Sequence, residues 1–210
     1  MLLFLPFSLY LKMILPIVAY GDPVLKKVAI DIEQSFPKLK DLIENMFETM
    51  YNAQGVGLAA PQIGQSIRLF IVDGSPFLED EEDEKDPRTE GLEGFKKVFI
   101  NPVIHFEEGE EWAFNEGCLS IPKIREEVYR KEEICISYYD EDWNFHEEVR
   151  FKGYAARIIQ HEHDHIEGIL FTDHLSILKK KLLTRKLTNI SKGIIPVDYR
   201  MKFPAAKKFK

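Results

Sequence analysis

Two histidines, at 161 and 165, with Glu162 directly after the first, are the residues of this chain best placed to do chemistry. The stretch His161-Glu162-His163-Asp164-His165 reads H-E-x-x-H. On a helix, positions i and i+4 lie one turn apart on one face, so both imidazoles can hold a single metal ion. Glu162 then lies beside the open position of that ion and can act as general base toward water. Tyr154 to Gln160 run in without Gly or Pro, and Gly168 suits the end of such a helix. The bland alternative is a charged, His-rich face turned to solvent.

A hydrolytic metal site needs three protein ligands and one open position. A downstream third ligand would make the chain a zinc metallopeptidase, but the near candidate, Glu167, follows His165 by only two residues and falls on the wrong side of the helix. Upstream the sequence offers Cys118 in Glu116-Gly117-Cys118-Leu119-Ser120, a thiolate donor that would offset one unit of metal charge. The Gly-rich run Gly55-Val56-Gly57-Leu58-Ala59-Ala60-Pro61-Gln62-Ile63-Gly64 lacks the Lys-Ser/Thr ending of a phosphate loop. Its glycines suit a close approach by another backbone.

In this order and spacing the three stretches resemble the peptide deformylase family of metal hydrolases, from about Met13 to the region of Leu187. The resemblance implies removal of the formyl group from the N-terminal formyl-methionine of newly made polypeptides, with release of formate. It assigns Cys118, His161 and His165 to the metal, Glu162 to proton transfer, and the Gln62 amide and Leu119 backbone N–H to the oxyanion. It implies one divalent metal, Fe(II), with Zn, Ni or Co able to occupy the site in purified protein. It lays the peptide along Val56 and Gly57, with Gly117 opposite, and places the methionine side chain in an apolar pocket. Leu119 and Ile158 would line that pocket, and Val56 and Arg125 border it. Arg157 stands where an aliphatic residue would suit a methionine pocket better. A catalytically silent binding module of the same fold is the third reading; the intact Cys118, Glu162, His161, His165 and Gln62 speak against it.

The elements that must position these residues read as one α+β domain: short antiparallel sheets around the internal H-E-x-x-H helix, with a C-terminal helix. Leu39, Leu42, Ile43, Met46, Phe47 and Met50 follow the helical period after Phe36-Pro37. Ile67 to Asp73 and Val98 to Phe106 read as strands, the second interrupted at Asn101-Pro102. Glu132 to Tyr139 and Phe145 to Phe151 read as a hairpin around Asp140-Glu141-Asp142-Trp143-Asn144. Residues 74–95, with the run Glu79 to Glu84, read as an acidic surface loop. His163, His105, His146 and His174 carry no ligand role, Cys135 is an inert strand residue, and Asp164 is expected to anchor its helix through a basic partner.

With 210 residues, 45% hydrophobic and 30% charged, the chain suits a single soluble domain. A net charge of -7 argues against general nucleic-acid binding. Two cysteines build no disulfide framework and fit a reducing, cytoplasmic setting. Residues 1–12 form an apolar N-terminal extension too short to span a bilayer, read as a disordered addition or a start set too early, with Met13 the first residue; no membrane partner is expected. The catalytic domain is placed at 13–190, and 191–210 as a basic strand or tail. From Lys179 onward positive charge gathers against a single acid, Asp198. That allows ribosome contact as well as a plain solubilising end.

Overall fold

The computed structural model describes residues 12–79 and 86–204. The first eleven residues, most of the acidic run, and the tail from 205 lie outside the described residues, and with them the expectations for the N-terminal extension and the last lysines. The chain order is β1 (Ile17–Val18), α1 (Leu39–Asn52), β2 (Gly57–Ala59), β3 (Leu69–Asp73), α2 (Pro76–Glu79), β4 (Lys96–Cys118), β5 (Ile121–Tyr139), β6 (Phe145–Lys152), α3 (Gly153–Ile166), α4 (Ile177–Ser191) and β7 (Met201–Lys202). Strands β2 to β6 form one antiparallel sheet in sequence order, and β1 pairs with β7 in parallel.

The sheet is covered on both faces, which explains the unbroken apolar run in β3. Side chains alternate across a strand. Leu69 and Ile71 pack with Val98, Ile100 and the α1 residues Ile43, Met46, Phe47 and Met50. Phe70 and Val72 point the other way, to Phe99, Ile134, Ile136 and the α3 residues Ala155, Ala156, Ile158 and Ile159. Leu69 to Val72 of β3 and Val98 to Ile100 of β4 are therefore apolar at every position, as in a sheet buried on two sides. Burying each large aliphatic side chain here contributes about 1.5–3 kcal/mol.

The strands are not all short. β4 and β5 run 23 and 19 residues and pair along their length, crossing bulges between Ile100 and Val103, Ile104 and Phe106, and Glu108 and Glu111. The Asn101-Pro102 interruption is the first of these. Asn101 takes φ +48° and its side chain exchanges hydrogen bonds with Ile32 N–H and C=O at 2.9 and 2.8 Å. A bulge lets Pro sit in a strand without breaking it.

The described part of 74–95 is likewise not a plain surface loop. Leu92 and Phe95 are buried against Phe99, and the ring of Phe77 in α2 stacks on Tyr154 at 4.6 Å. Gly74, Leu92 and Phe95 supply a small apolar core that the acidic composition around them masks.

Candidate active site

Cys118 closes one half of the site from the tip of the longest hairpin. Cys118 pairs with Ile121, so only Leu119 and Ser120 join β4 to β5. The histidines come from α3, which begins at Gly153 and ends at Ile166, and the helix sets His161 and His165 on one face with rings 5.2 Å apart. The donor atoms of Cys118, His161 and His165 all lie within 4.8 Å of one another, the one such group among the described residues. Cys118 Sγ stands 3.3 Å from His165 Nε2.

Glu116 decides the orientation of His161. Its carboxylate is 4% exposed and accepts from His161 Nδ1 at 2.9 Å. An ionised carboxylate only accepts, so Nδ1 carries hydrogen and Nε2 is left as a donor atom for a metal. Glu116 also accepts from Arg130 Nε and Nη2 at 2.7 and 3.1 Å and from Arg157 Nη1 at 3.0 Å. Burial would raise its pKa, but the hydrogen bonds from His161 and Arg130 outweigh it and hold the carboxyl well below the usual range. Arg130 Nη1 reaches Asp164 at 2.8 Å, the basic anchor expected for that residue.

Glu162 is 3% exposed and its Oε2 has no hydrogen-bond partner. Burial raises its pKa to about 7. A buried carboxylate without a partner is costly, and a cation beside it acts in the opposite sense. A thiolate, two imidazoles and this carboxylate in one buried cluster therefore suit a divalent ion.

The glycines have a use beyond the close backbone approach expected of them. A Cβ at Gly57 would lie 2.7 Å from Glu162 Cδ and 2.8 Å from its Cγ. A Cβ at Gly55 would lie 2.7 Å from Leu119 Cδ1. Both positions make room for site side chains. Gln62 is 1% exposed, and its Oε1 accepts from Ala59 N–H at 2.8 Å. That fixes the amide so that Nε2 points to Cys118 Sγ at 3.5 Å.

These residues open on a cavity of about 1120 Å³ whose wall includes Val56, Gly57, Gly117, Leu119, Arg125 and Ile158. Arg125 is exposed at its rim and donates to Asn115 O at 3.2 Å. Arg157 also reaches the wall but is 2% exposed, with its guanidinium 4.1 Å from the Trp112 ring centroid. Stacked and paired to Glu116, it presents a flat, neutralised surface, which resolves how an arginine fits here. Glu167, the downstream candidate ligand, instead pairs with Arg68 at 2.6 Å. Cys135 is buried, and His105, His146 and His174 bond to Ser137, Asp140 and Asp164. His163, on α3 between the ligands, has its pKa lowered to about 4 by burial.

A family model described as polypeptide deformylase matches residues 14–181. The chain belongs to the polypeptide deformylase family. A peptide deformylase of Christiangramia forsetii is 62% identical over 197 residues, covering 93% of this chain and 99% of that relative. One from Flavobacterium johnsoniae is 59% identical over 196 residues, covering 93% and 99%. Among solved structures, the peptide deformylase of Legionella pneumophila aligns with a TM-score of 0.70 at 38% identity, over 84% of this chain and 95% of that one.

Proposed function

We propose that this chain removes the formyl group from the N-terminal formyl-methionine of newly made polypeptides, through a catalytic domain spanning 13–190. The observation that carries the reading is the cluster of Cys118, His161 and His165 beside a cavity lined by Cys118, His161, Glu162 and Gln62 in a polypeptide deformylase. Cys118, His161 and His165 would hold one divalent metal, for which Fe(II) is our assignment, with Zn, Ni or Co as substitutes. Bound there, the ion supplies Lewis acidity to the formyl carbonyl and to water.

The geometry supports the following roles for the protein's own groups. Glu162 takes a proton from the attacking water and returns it to the amine nitrogen as the C–N bond breaks, leaving formate and a free amino terminus. Gln62 Nε2 and Leu119 N–H donate to the oxygen on which negative charge develops, each worth about 3 kcal/mol of barrier. β2 is an edge strand of the sheet, so an extended peptide can add along Val56 and Gly57 with Gly117 opposite. The methionine side chain then enters between Leu119 and Ile158, with Arg157 as a stacked outer wall and Arg125 at the rim.

Release of the free amino terminus from a formyl-Met peptide, with formate as co-product, against release from its acetyl counterpart, tests this. The formyl peptide should turn over and the acetyl one fail, since a close-fitting site discriminates against the extra methyl. Equal hydrolysis of both, or of neither, would overturn the reading.

We place the reaction in the cytoplasm, where such chains are made; no helix among the described residues is long and apolar enough to cross a membrane. α4 supports contact with the ribosome. It carries Lys179, Lys180, Lys181, Arg185 and Lys186 with no acid, and while Leu183, Leu187 and Ile190 pack inward, Leu178 and Leu182 are exposed. Reversing Lys180 and Lys181 to Glu should weaken co-sedimentation with ribosomes and leave short-peptide turnover intact. No co-sedimentation by the parent, or no change in the variant, would remove this partner.

A further inference from the structure

The chain's return after α4 reaches the active-site cavity. Val197, Asp198 and Tyr199 line its wall, although they lie beyond residue 181, where the family match ends. The Tyr199 hydroxyl donates to the Leu119 carbonyl at 2.7 Å, and its ring packs in the same cluster as Leu119. The next carbonyl, that of Ser120, accepts from Tyr20 N–H at 2.8 Å. The segments carrying these two tyrosines are themselves joined, because β7 pairs with β1 through Ile17 and Met201.

Both carbonyls of the two-residue turn are thus held from outside the hairpin. The turn needs it. The β4–β5 ladder shifts register between Gly117 and Cys118, so the strand hydrogen bonds do not by themselves fix Leu119 and Ser120. Leu119 N–H lies in the peptide plane before the held carbonyl and is joined to it at the Leu119 Cα, so a carbonyl free to rotate lets that N–H swing as well, and hydrogen bonds weaken steeply off line.

We propose that Tyr199 is a positioning residue for deformylation: its hydroxyl holds the Leu119-Ser120 turn so that Leu119 N–H and the Cys118 sulfur keep their aim into the cavity. This rests on the oxyanion role proposed for Leu119. It also makes the C-terminal segment part of the working site rather than an appendage.

Tyr199→Phe removes the donor and keeps the ring. It should lower kcat on a formyl-Met peptide about three- to tenfold, the range of one neutral hydrogen bond. KM, bound metal and melting temperature should stay close to the parent's. Deuterium uptake across residues 117–120 should rise selectively. Tyr199→Leu, which also removes the ring from the cavity wall, should repeat the kcat loss and raise KM. Parental kcat and parental exchange in Tyr199→Phe would overturn the proposal, as would a kcat loss matched by lost metal. If the parent itself releases no formate, the deformylase reading falls instead, and exchange in residues 117–120 still decides whether Tyr199 clamps the turn.

Discussion

Glu116 of β4 and Arg130 of β5 face different partners in the strand register, Glu126 and Trp112, yet meet diagonally across the hairpin in a two-pronged ion pair, Nε and Nη2 to the carboxylate at 2.7 and 3.1 Å, both side chains almost fully buried. This pair joins the two elements that carry the candidate metal ligands, since Arg130 also holds Asp164 and Glu116 also holds His161.

Glu116→Gln should therefore act on metal affinity and stability together. Loss of the charge leaves Arg130 and Arg157 buried with less compensation, a cost of about 3–5 kcal/mol. It also weakens the hold on His161 Nδ1, which should cost roughly 10- to 100-fold in metal affinity. Competition with a graded chelator and a urea titration measure the two effects; a variant with parental metal affinity would show that His161 needs no carboxylate partner.

Metal binding and proton transfer should separate. Glu162→Gln should keep the metal and lose nearly all turnover, because the ligand atoms are untouched while the base is gone. Cys118→Ala should lose most of the metal. Metal content measured beside formate release distinguishes them, and substantial turnover by Glu162→Gln would remove Glu162 from its assigned role.

Gly57→Ala should damage catalysis without touching a ligand. The new methyl meets Glu162 Cδ at 2.7 Å, so the carboxylate must move. A displacement of this size should lower kcat by about 100-fold, with bound metal retained. Parental kcat would mean that Glu162 can swing aside and still work.

Acid stability has a component at Asp86. Hydrogen bonds from Arg88, then from Tyr154, outweigh burial and lower its pKa to about 2. A carboxyl whose folded pKa lies below its unfolded value of about 3.9 stabilises the fold fully above that unfolded value. The contribution is lost as pH falls through about 2. Asp86→Asn should thus be less stable than the parent at pH 6, and the gap should narrow between pH 4 and pH 2. Urea midpoints across that range measure it, and a gap independent of pH would exclude this carboxyl.

If iron is the working metal, activity should decay in air through the metal or the Cys118 thiolate. Nickel- or cobalt-loaded protein should decay more slowly. Equal air stability of iron- and nickel-loaded protein would remove the link.

The sequence carried the site residues because their chemistry needs fixed spacing. His161 and His165 are one helical turn apart, and Cys118 ends β4 directly before a two-residue turn. What it hid were partners distant in the chain. Arg130 reads as one more charge in an alternating strand, and its burial depends on which strand lies opposite. Tyr199 lies 80 residues from the carbonyl it holds, and nothing local marks it. Arg157 looked misplaced because its compensation, Glu116 and Trp112, comes from β4. The length of β4 and β5 was obscured by bulges, each of which breaks the two-residue alternation that marks a strand.

The hairpin-tip position of Cys118 also ties catalysis to the order of folding. Its partner histidines come only after β5, the turn and β6 have been made, so no early fragment of the chain can assemble the ligand set. An ion gripping both elements would close that whole stretch into a loop, much as a covalent cross-link would, and its full set of donors would exist only in chains that have completed the sheet. Newly made copies of this protein would then stay inert until released and folded. Titrating a chelator into the loaded protein amounts to cutting one staple between hairpin and helix.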